Sequence, residues 1–394
     1  MTVPSPSTKE NSSALRYRDP LRQARYELPT TILYGVGILE QLPQLLGDLR
    51  VSNPLVITDR GLGATPIPAR ITTVLNRAGI EHGLFQEVES DPSTELVDAL
   101  AALLRERGHD SVIGLGGGSA MDAAKAAAAA ATANVPVTEL VGPERVQEDP
   151  LPIIAVPTTA GPGSEVTRFA VLSDKSAGAK VSIASMKIMP KYALLEPELT
   201  LGLPAPLTAG TGLDALSHAI ESYGSVWNNP VSEGMALHAI SLIGQHLRTA
   251  TNDPSNVVGR AGMLAASCIA ELAANATRLG LAHALAVPLG ATHGVPHGLA
   301  VGMMLPPMCA FNEEVEPARY RTVAAALDPE AKDLSEALSA LYADIGMTAR
   351  LRDFGVEPDS FDRVLDLAER SDNVQANPRI ADREELRALL QEAY

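Results

Sequence analysis

The fold class predicted by the sequence is an α/β N-terminal half followed by an all-helical C-terminal half. Up to Leu195, short apolar runs of strand type alternate with segments of helical apolar period, the order that builds a parallel sheet with crossover helices. After Pro204 and Pro206 the strand-type runs stop and long helical segments take over, which puts a boundary near Leu203. A length of 394 residues exceeds what one ordinary core serves and suits two domains. The division is therefore a loose tail at 1–24, an α/β domain at 25–202 and a helical domain at 203–394.

The elements follow in order. Residues 25–33 alternate weakly and end at the turn Tyr34-Gly35-Val36-Gly37, a strand and turn. Residues 38–49 carry Leu39, Leu42, Leu45, Leu46 and Leu49 at helical spacing, and 54–58 is a buried strand ended by Asp59. A helix at 67–78 and a strand at 82–88 come next. Asp91-Pro92-Ser93-Thr94 then caps a helix at 96–107. Strand 112–115 leads through a glycine turn into an alanine-rich helix that runs to Ala133. Strand 151–156 opens a second turn at 157–165. Runs 169–172 and 179–183 form a hairpin, and 192–195 is the last strand.

Composition removes some function classes. A formal net charge of −16 argues against a nucleic-acid partner, so a phosphate-bearing ligand must be held by local dipoles and a few cations. No run of eighteen apolar residues lacks charges and breakers, so no membrane span is expected. Residues 1–11 are rich in Pro, Ser and Thr and have no apolar centre, unlike a signal peptide. Cys268 and Cys309 lie in apolar surroundings and read as buried thiols of a reducing, cytoplasmic compartment.

The glycine turn carries the first chemistry. In Gly114-Leu115-Gly116-Gly117-Gly118-Ser119, the glycines let a backbone approach a phosphate closely. The following helix start offers free N–H groups and a positive dipole end, and Ser119 adds a hydroxyl. The spacing is neither G-x-G-x-x-G nor a P-loop, so it points to a diphosphate without naming the carrier. A tight strand-to-helix turn without a ligand is the other reading. Asp59, ending the second strand, is placed to accept hydrogen bonds from ribose hydroxyls and to repel a 2′-phosphate, or else to cap the next helix. The turn Pro157-Thr158-Thr159-Ala160-Gly161-Pro162-Gly163-Ser164-Glu165 also lies at a strand end, where open sheets bind ligands.

A second set of residues suits a metal. Asp214 and His218 stand at i and i+4 on one helix face, a spacing that chelates a cation or merely makes a local hydrogen bond. His283, His293 and His297 fall within fifteen residues of otherwise apolar sequence. Buried imidazoles need partners, and an Asp/His₃ set suits Fe(II) or Zn(II).

The pattern Gly116-Gly117-Gly118-Ser119-x-x-Asp122-x-Ala124-Lys125 resembles the cofactor turn of the iron-containing (group III) alcohol dehydrogenase family, and the resemblance runs from about Tyr26 to the C-terminus. It implies a Rossmann-like dinucleotide-binding domain plus an all-α domain, a dehydroquinate synthase-like architecture with the site in the cleft. It implies NAD, in preference to NADP, on Asp59, Gly116, Gly117, Gly118, Ser119, Asp122, Thr158, Thr159 and Lys180. In the family one metal-binding His opens the apolar segment and another closes it fourteen positions later, before a Gly. His283 and His297 match, and with Asp214 and His218 they complete four ligands. Two positions depart from the family. Pro162 stands where a third Thr is usual, and Val287 where many members carry a histidine that relays protons. His293 is then a candidate proton donor, or a structural histidine.

The implied reaction is hydride transfer between nicotinamide C4 and the carbonyl carbon of a small aldehyde, with the metal as Lewis acid. Arg168, Lys180, Lys187 and Lys191 lie close in sequence within an acidic chain, which favours an anionic aldehyde of semialdehyde or phosphonoacetaldehyde type. A neutral short-chain aldehyde is the alternative. Dehydroquinate synthase-like lyases, which return the hydride, and maleylacetate reductase-like enzymes, which lack the metal ligands, are neighbouring activities. A homodimer is expected, with a small aldehyde or alcohol as substrate and neither nucleic acid nor membrane as partner.

Overall fold

The computed structural model describes residues 26–175 and 179–394, so the tail expected at 1–24 lies outside the described residues. Nine strands are formed among them: β1 Thr31–Tyr34, β2 Pro54–Asp59, β3 Gly83–Val88, β4 Ser111–Gly116, β5 Gly142–Pro143, β6 Ile153–Pro157, β7 Phe169–Asp174, β8 Ala179–Ala184 and β9 Tyr192–Leu195. Six of them make a parallel sheet in the order β1-β9-β6-β4-β2-β3. The central strands β4 and β6 are buried along their whole length, as strands covered on both faces must be.

Alternation along the strands divides the core in two. Leu55, Ile57 and Val112 point to one side and pack with the helices Thr94–Arg107 and Gly118–Ala133. Val56, Ile113, Leu115, Ile154 and Val156 point to the other and pack with Leu42–Leu49 and Ile67–Arg77. The alanines of Gly118–Ala133 let that helix come close to the sheet. A Cβ on Gly114 would stand 3.1 Å from the Ala124 Cβ. Strands β7 and β8 are the expected antiparallel hairpin, joined by the two-residue β5 in a separate three-stranded sheet.

From Ala205 the chain is helical. The helices Ala205–Gly224, Pro230–Asn252, Val257–Thr277, Leu281–His293 and His297–Glu313 share one apolar core. Ala205–Gly224 lies at its centre and is buried on nearly every face from Thr208 on. Val257–Thr277 is the one described helix long and apolar enough to cross a bilayer, but 72% of its most apolar window is buried inside the protein, so that apolarity serves the core. Its charged residues Arg260 and Glu271 are buried too, on protein partners.

The C-terminal ends of β2, β4 and β6 carry Asp59, Gly116 and Pro157. Ligands of open α/β sheets bind at such ends, and here that edge faces the helical half.

Candidate active site

The two turns at the sheet edge close on each other. Gly116 has φ +145° and its carbonyl accepts a hydrogen bond from the Thr158 N–H at 3.0 Å. A Cβ on Gly116 would meet the Ala120 Cβ at 2.9 Å and Asp59 Oδ2 at 3.1 Å, so only glycine lets the aspartate lie over the turn. Asp59 Oδ1 meanwhile accepts the Leu62 N–H at 2.9 Å and caps the short helix Arg60–Gly63. Gly117 is the N-cap of Gly118–Ala133, which leaves that helix's first N–H groups to point into the cleft. Thr159 and Pro162 lie over Gly117 and Gly118 at 3.5 and 3.3 Å from where Cβ atoms would be. Thr158 itself is buried.

Other expected cofactor residues are tied to the protein. Asp122 accepts the Ser164 hydroxyl on one oxygen and the Val171 N–H on the other. Lys125, fully buried, donates to the Ser164 carbonyl, the Ser164 hydroxyl and the Thr167 hydroxyl at 2.9–3.0 Å. Together they lock the second turn and the hairpin onto the alanine helix. Ser119 Oγ accepts the Asp91 N–H at 3.3 Å, and Asp91 holds Lys180 at 2.7 Å.

Four residues from three helices meet beyond the turns. His283 Nε2 and His297 Nε2 each lie 3.5 Å from Asp214 Oδ1, and His218 Nε2 lies 3.9 Å from it. The His218 and His283 rings stack at 4.8 Å. Two ligands bound at ~2.1 Å to one tetrahedral ion stand roughly 3.4 Å apart, so the Asp214–His283–His297 spacing is that of a coordination shell. Among the described residues, Asp214 Oδ1 and His283 Nε2 are also buried polar atoms that make no hydrogen bond. A buried polar atom without a partner is costly, and a cation between them would satisfy both. The donor set, one carboxylate and three imidazoles, fits Fe(II) or Zn(II). The His297 side chain, 41% exposed, marks the side of the cluster that opens to the cleft.

Close helix crossings bring these side chains together. A Cβ on Gly298 would stand 2.5 Å from the Gly210 carbonyl oxygen, so the start of His297–Glu313 lies backbone-to-backbone on Ala205–Gly224. A Cβ on Gly161 in the second turn would stand 2.6 Å from the Thr211 Cβ, so the turn lies closely against the helix that carries Asp214.

Comparison with known proteins agrees with this geometry. The family profile "Iron-containing alcohol dehydrogenase" matches residues 29–197, and the C-terminal profile of the same family matches 208–394. The chain belongs to the iron-containing alcohol dehydrogenase family. It is accordingly an oxidoreductase acting on CH–OH groups. It is 35% identical to the 1,3-propanediol dehydrogenase of Klebsiella pneumoniae over 95% of this chain and 99% of that one. Its fold superposes on a 1,3-propanediol oxidoreductase crystal structure with a TM-score of 0.91 and 33% identity, covering 95% and 100% of the two chains. The sulfoacetaldehyde reductase of Bifidobacterium kashiwanohense, solved in complex with NAD+, superposes with a TM-score of 0.88 at 30% identity, covering 94% and 99%.

The electrostatics of this alcohol dehydrogenase site are set by burial and mutual contact. Burial alone would raise the Asp214 carboxyl, but His218, His297 and His283 together hold it below the usual range. Burial pushes the His218 imidazole down to about 4. His283 resists burial because Glu221 and Asp214 raise it to about 10. Burial drives Glu165 up to about 7, and burial with Glu165 and Asp214 raises Glu271 well above its ordinary value. Glu271 Oε2 lies 3.5 Å from His218 Nδ1, and Glu221 pairs with His283 Nδ1.

Sequence reading passed over Glu221 and Glu271. Glu221 was legible in principle, standing three residues after His218 and seven after Asp214, on the same helix face. Glu271 had no such signal. Of the four cations near in sequence, Lys180 reaches the site, its Nζ 4.0 Å from where a Gly290 Cβ would be. Lys187 is bound to Asp149, and the Lys191 backbone pairs at the starts of β1 and β6, so both belong to the opposite edge of the sheet. Arg168 lies against Phe169 at the start of β7. His293 pairs its Nδ1 with the Thr292 hydroxyl at 2.7 Å and its Nε2 with the Ser360 hydroxyl at 3.0 Å. Val287 is 43% exposed and gives its turn of Leu281–His293 an apolar surface.

Proposed function

We propose that the protein interconverts a small primary alcohol and its aldehyde with NAD(H), using one divalent metal, Fe(II) or Zn(II), held by Asp214, His218, His283 and His297. The observation that carries this reading is the facing pair of buried, unbonded atoms, Asp214 Oδ1 and His283 Nε2, with His297 beside them. When bound, the metal supplies Lewis acidity and the nicotinamide a hydride. The chain's own residues do the rest. The N-terminus of Gly118–Ala133, with Gly117 and Ser119, receives the diphosphate. Asp59 Oδ2 accepts from ribose hydroxyls, while Thr158 and Thr159 line the facing turn. The apolar core behind His283 keeps water from the closed side of the cluster.

The dispersal of the cations favours a neutral substrate. Lys180 is the one of the four that approaches the cluster, and Asp91 already balances its charge. Paired neutral and anionic aldehydes of equal length are expected to give kcat/KM values that favour the neutral one and vary little with salt. A salt-sensitive preference for the anion would overturn this reading. Net consumption of NADH separates the proposal from a lyase that returns its hydride. In the same preparation, His283→Ala should lose bound metal by elemental analysis and nearly all turnover, and stoichiometric metal in that variant would refute the ligand set.

A further inference from the structure

Helix Leu281–His293 starts without a side-chain cap of its own, because Gly280 stands at its N-cap. The missing acceptor comes from another helix. Glu221, whose side chain is 0% exposed, extends from Ala205–Gly224. Its Oε1 accepts the backbone N–H groups of Ala282 at 2.8 Å and His283 at 3.3 Å. A carboxylate satisfies such donors and is favoured by the helix dipole. Its Oε2 pairs with His283 Nδ1.

We infer that Glu221 is a positioning residue that fixes the tautomer of His283 and so makes its Nε2 the nitrogen that binds metal. The inference rests on the metal reading proposed above. With Nδ1–H given to a carboxylate, Nε2 is the nitrogen from which a metal would displace the proton, and that atom faces Asp214 Oδ1 at 3.5 Å without a hydrogen bond. The other buried histidine shows the contrast. His218 Nδ1 is 3.5 Å from Glu271 and makes no hydrogen bond, so no carboxylate grips it in the same way. Gly280 belongs to the device. Its φ of −131° suits any residue, but a Cβ there would stand 3.0 Å from Glu221 Oε1 and 2.9 Å from Asn377 Oδ1. Glycine is needed for room, and the room is occupied by the carboxylate.

Both oxygens of Glu221 must accept, and an amide cannot do this. In Glu221→Gln the NH₂ group faces either the Ala282 and His283 N–H groups or His283 Nδ1. The second arrangement drives the proton to Nε2 and blocks ligation. In zinc competition against a chelator, Glu221→Gln is expected to bind zinc roughly 10- to 100-fold more weakly than wild type, the range for lost partners of metal-bound histidines. Gly280→Ala, which crowds the carboxylate without removing its charge, should weaken zinc in the same direction. The zinc-loaded wild-type protein, labelled with ¹⁵N-histidine, should show His283 protonated at Nδ1 and metal-shifted at Nε2. That measurement is made on the wild-type protein and so stands even where a variant fails to fold. Wild-type affinity in Glu221→Gln, or metal on Nδ1 in the wild-type spectrum, overturns the role of Glu221. Wild-type protein that takes up no zinc overturns the metal reading along with it.

Discussion

The two carboxylate oxygens of Asp59 stand in different surroundings. One oxygen caps the helix Arg60–Gly63, and the other stands over Gly116, where a ribose would approach the glycine turn. The capping role is observed, and the free oxygen is the one to which the proposal gives the ribose. The two roles can be separated because they respond differently to substitution. A glycine at an N-cap costs only a few tenths of a kcal/mol relative to aspartate, so Asp59→Gly should leave the melting temperature almost unchanged. Removing the negative charge beside the ribose should raise the NADPH-to-NADH ratio of kcat/KM by on the order of tenfold, the effect of about 1.4 kcal/mol. Steady-state kinetics with both coenzymes tests this. A wild-type enzyme that already prefers NADPH would show that the free oxygen does not discriminate.

At the scale of elements, glycines decide how near two backbones come. Gly298 is the residue after His297, and its missing side chain lets the start of His297–Glu313 rest on the Gly210 carbonyl. Gly298→Ala should push the two helices apart at a cost of about 1–3 kcal/mol, the range for overpacking. It should also draw His297 away from Asp214 and weaken metal binding. Gly234, with nothing within 4 Å of where its Cβ would be, is the control, and its alanine variant should be neutral or slightly stabilising by denaturant titration. Equal behaviour of the two variants would show that the crossing tolerates more room. The same scale explains what could be read in advance. Strands and helices were legible because burial imposes a period on each, as in Val56 and Ile113 facing one way and Leu55 and Ile57 the other. Strand order was not legible, since a parallel partner leaves no local mark, and the two residues of β5 are too few to show a period. Polar residues in apolar runs need partners, which marked out Asp214, His218 and the histidines of 283–297, but the choice of Asp214, His218, His283 and His297 as one ligand set came from the family resemblance. The dispersal of the cations was not legible, because Lys180 on β8 and Lys191, just before β9, stand at different edges of the protein although they are near in sequence.

For the whole molecule, the decisive place is where the two halves join. All four candidate metal ligands belong to the helical half, and the glycine turn belongs to the sheet. Hydride transfer needs these two parts held at contact distance. Arg260, 2% exposed, reaches from Val257–Thr277 to the segment where the chain enters the helical half. Its Nη2 donates to the Leu203 carbonyl at 2.9 Å, its Nη1 to the Thr208 hydroxyl at 2.8 Å and its Nε to the Pro254 carbonyl at 3.3 Å. Burial lowers its pKa from the ordinary value, yet a guanidinium stays charged across the working range. Three acceptors, one of them in the segment between the last strand and the helix that carries Asp214, thus converge on one side chain. Arg260→Met keeps much of the bulk and removes the donors. It should cost about 3 kcal/mol, as expected when buried acceptors lose a charged donor. Its functional signature should be selective. The KM for coenzyme should rise and kcat should fall, while bound metal stays stoichiometric, because no ligand is disturbed. Urea unfolding, coenzyme kinetics and elemental analysis on one preparation test the three parts together. Metal loss in step with activity would place the action of Arg260 on the helix of Asp214 and His218 instead of on the join between the halves. Unchanged stability would show that the boundary holds without it.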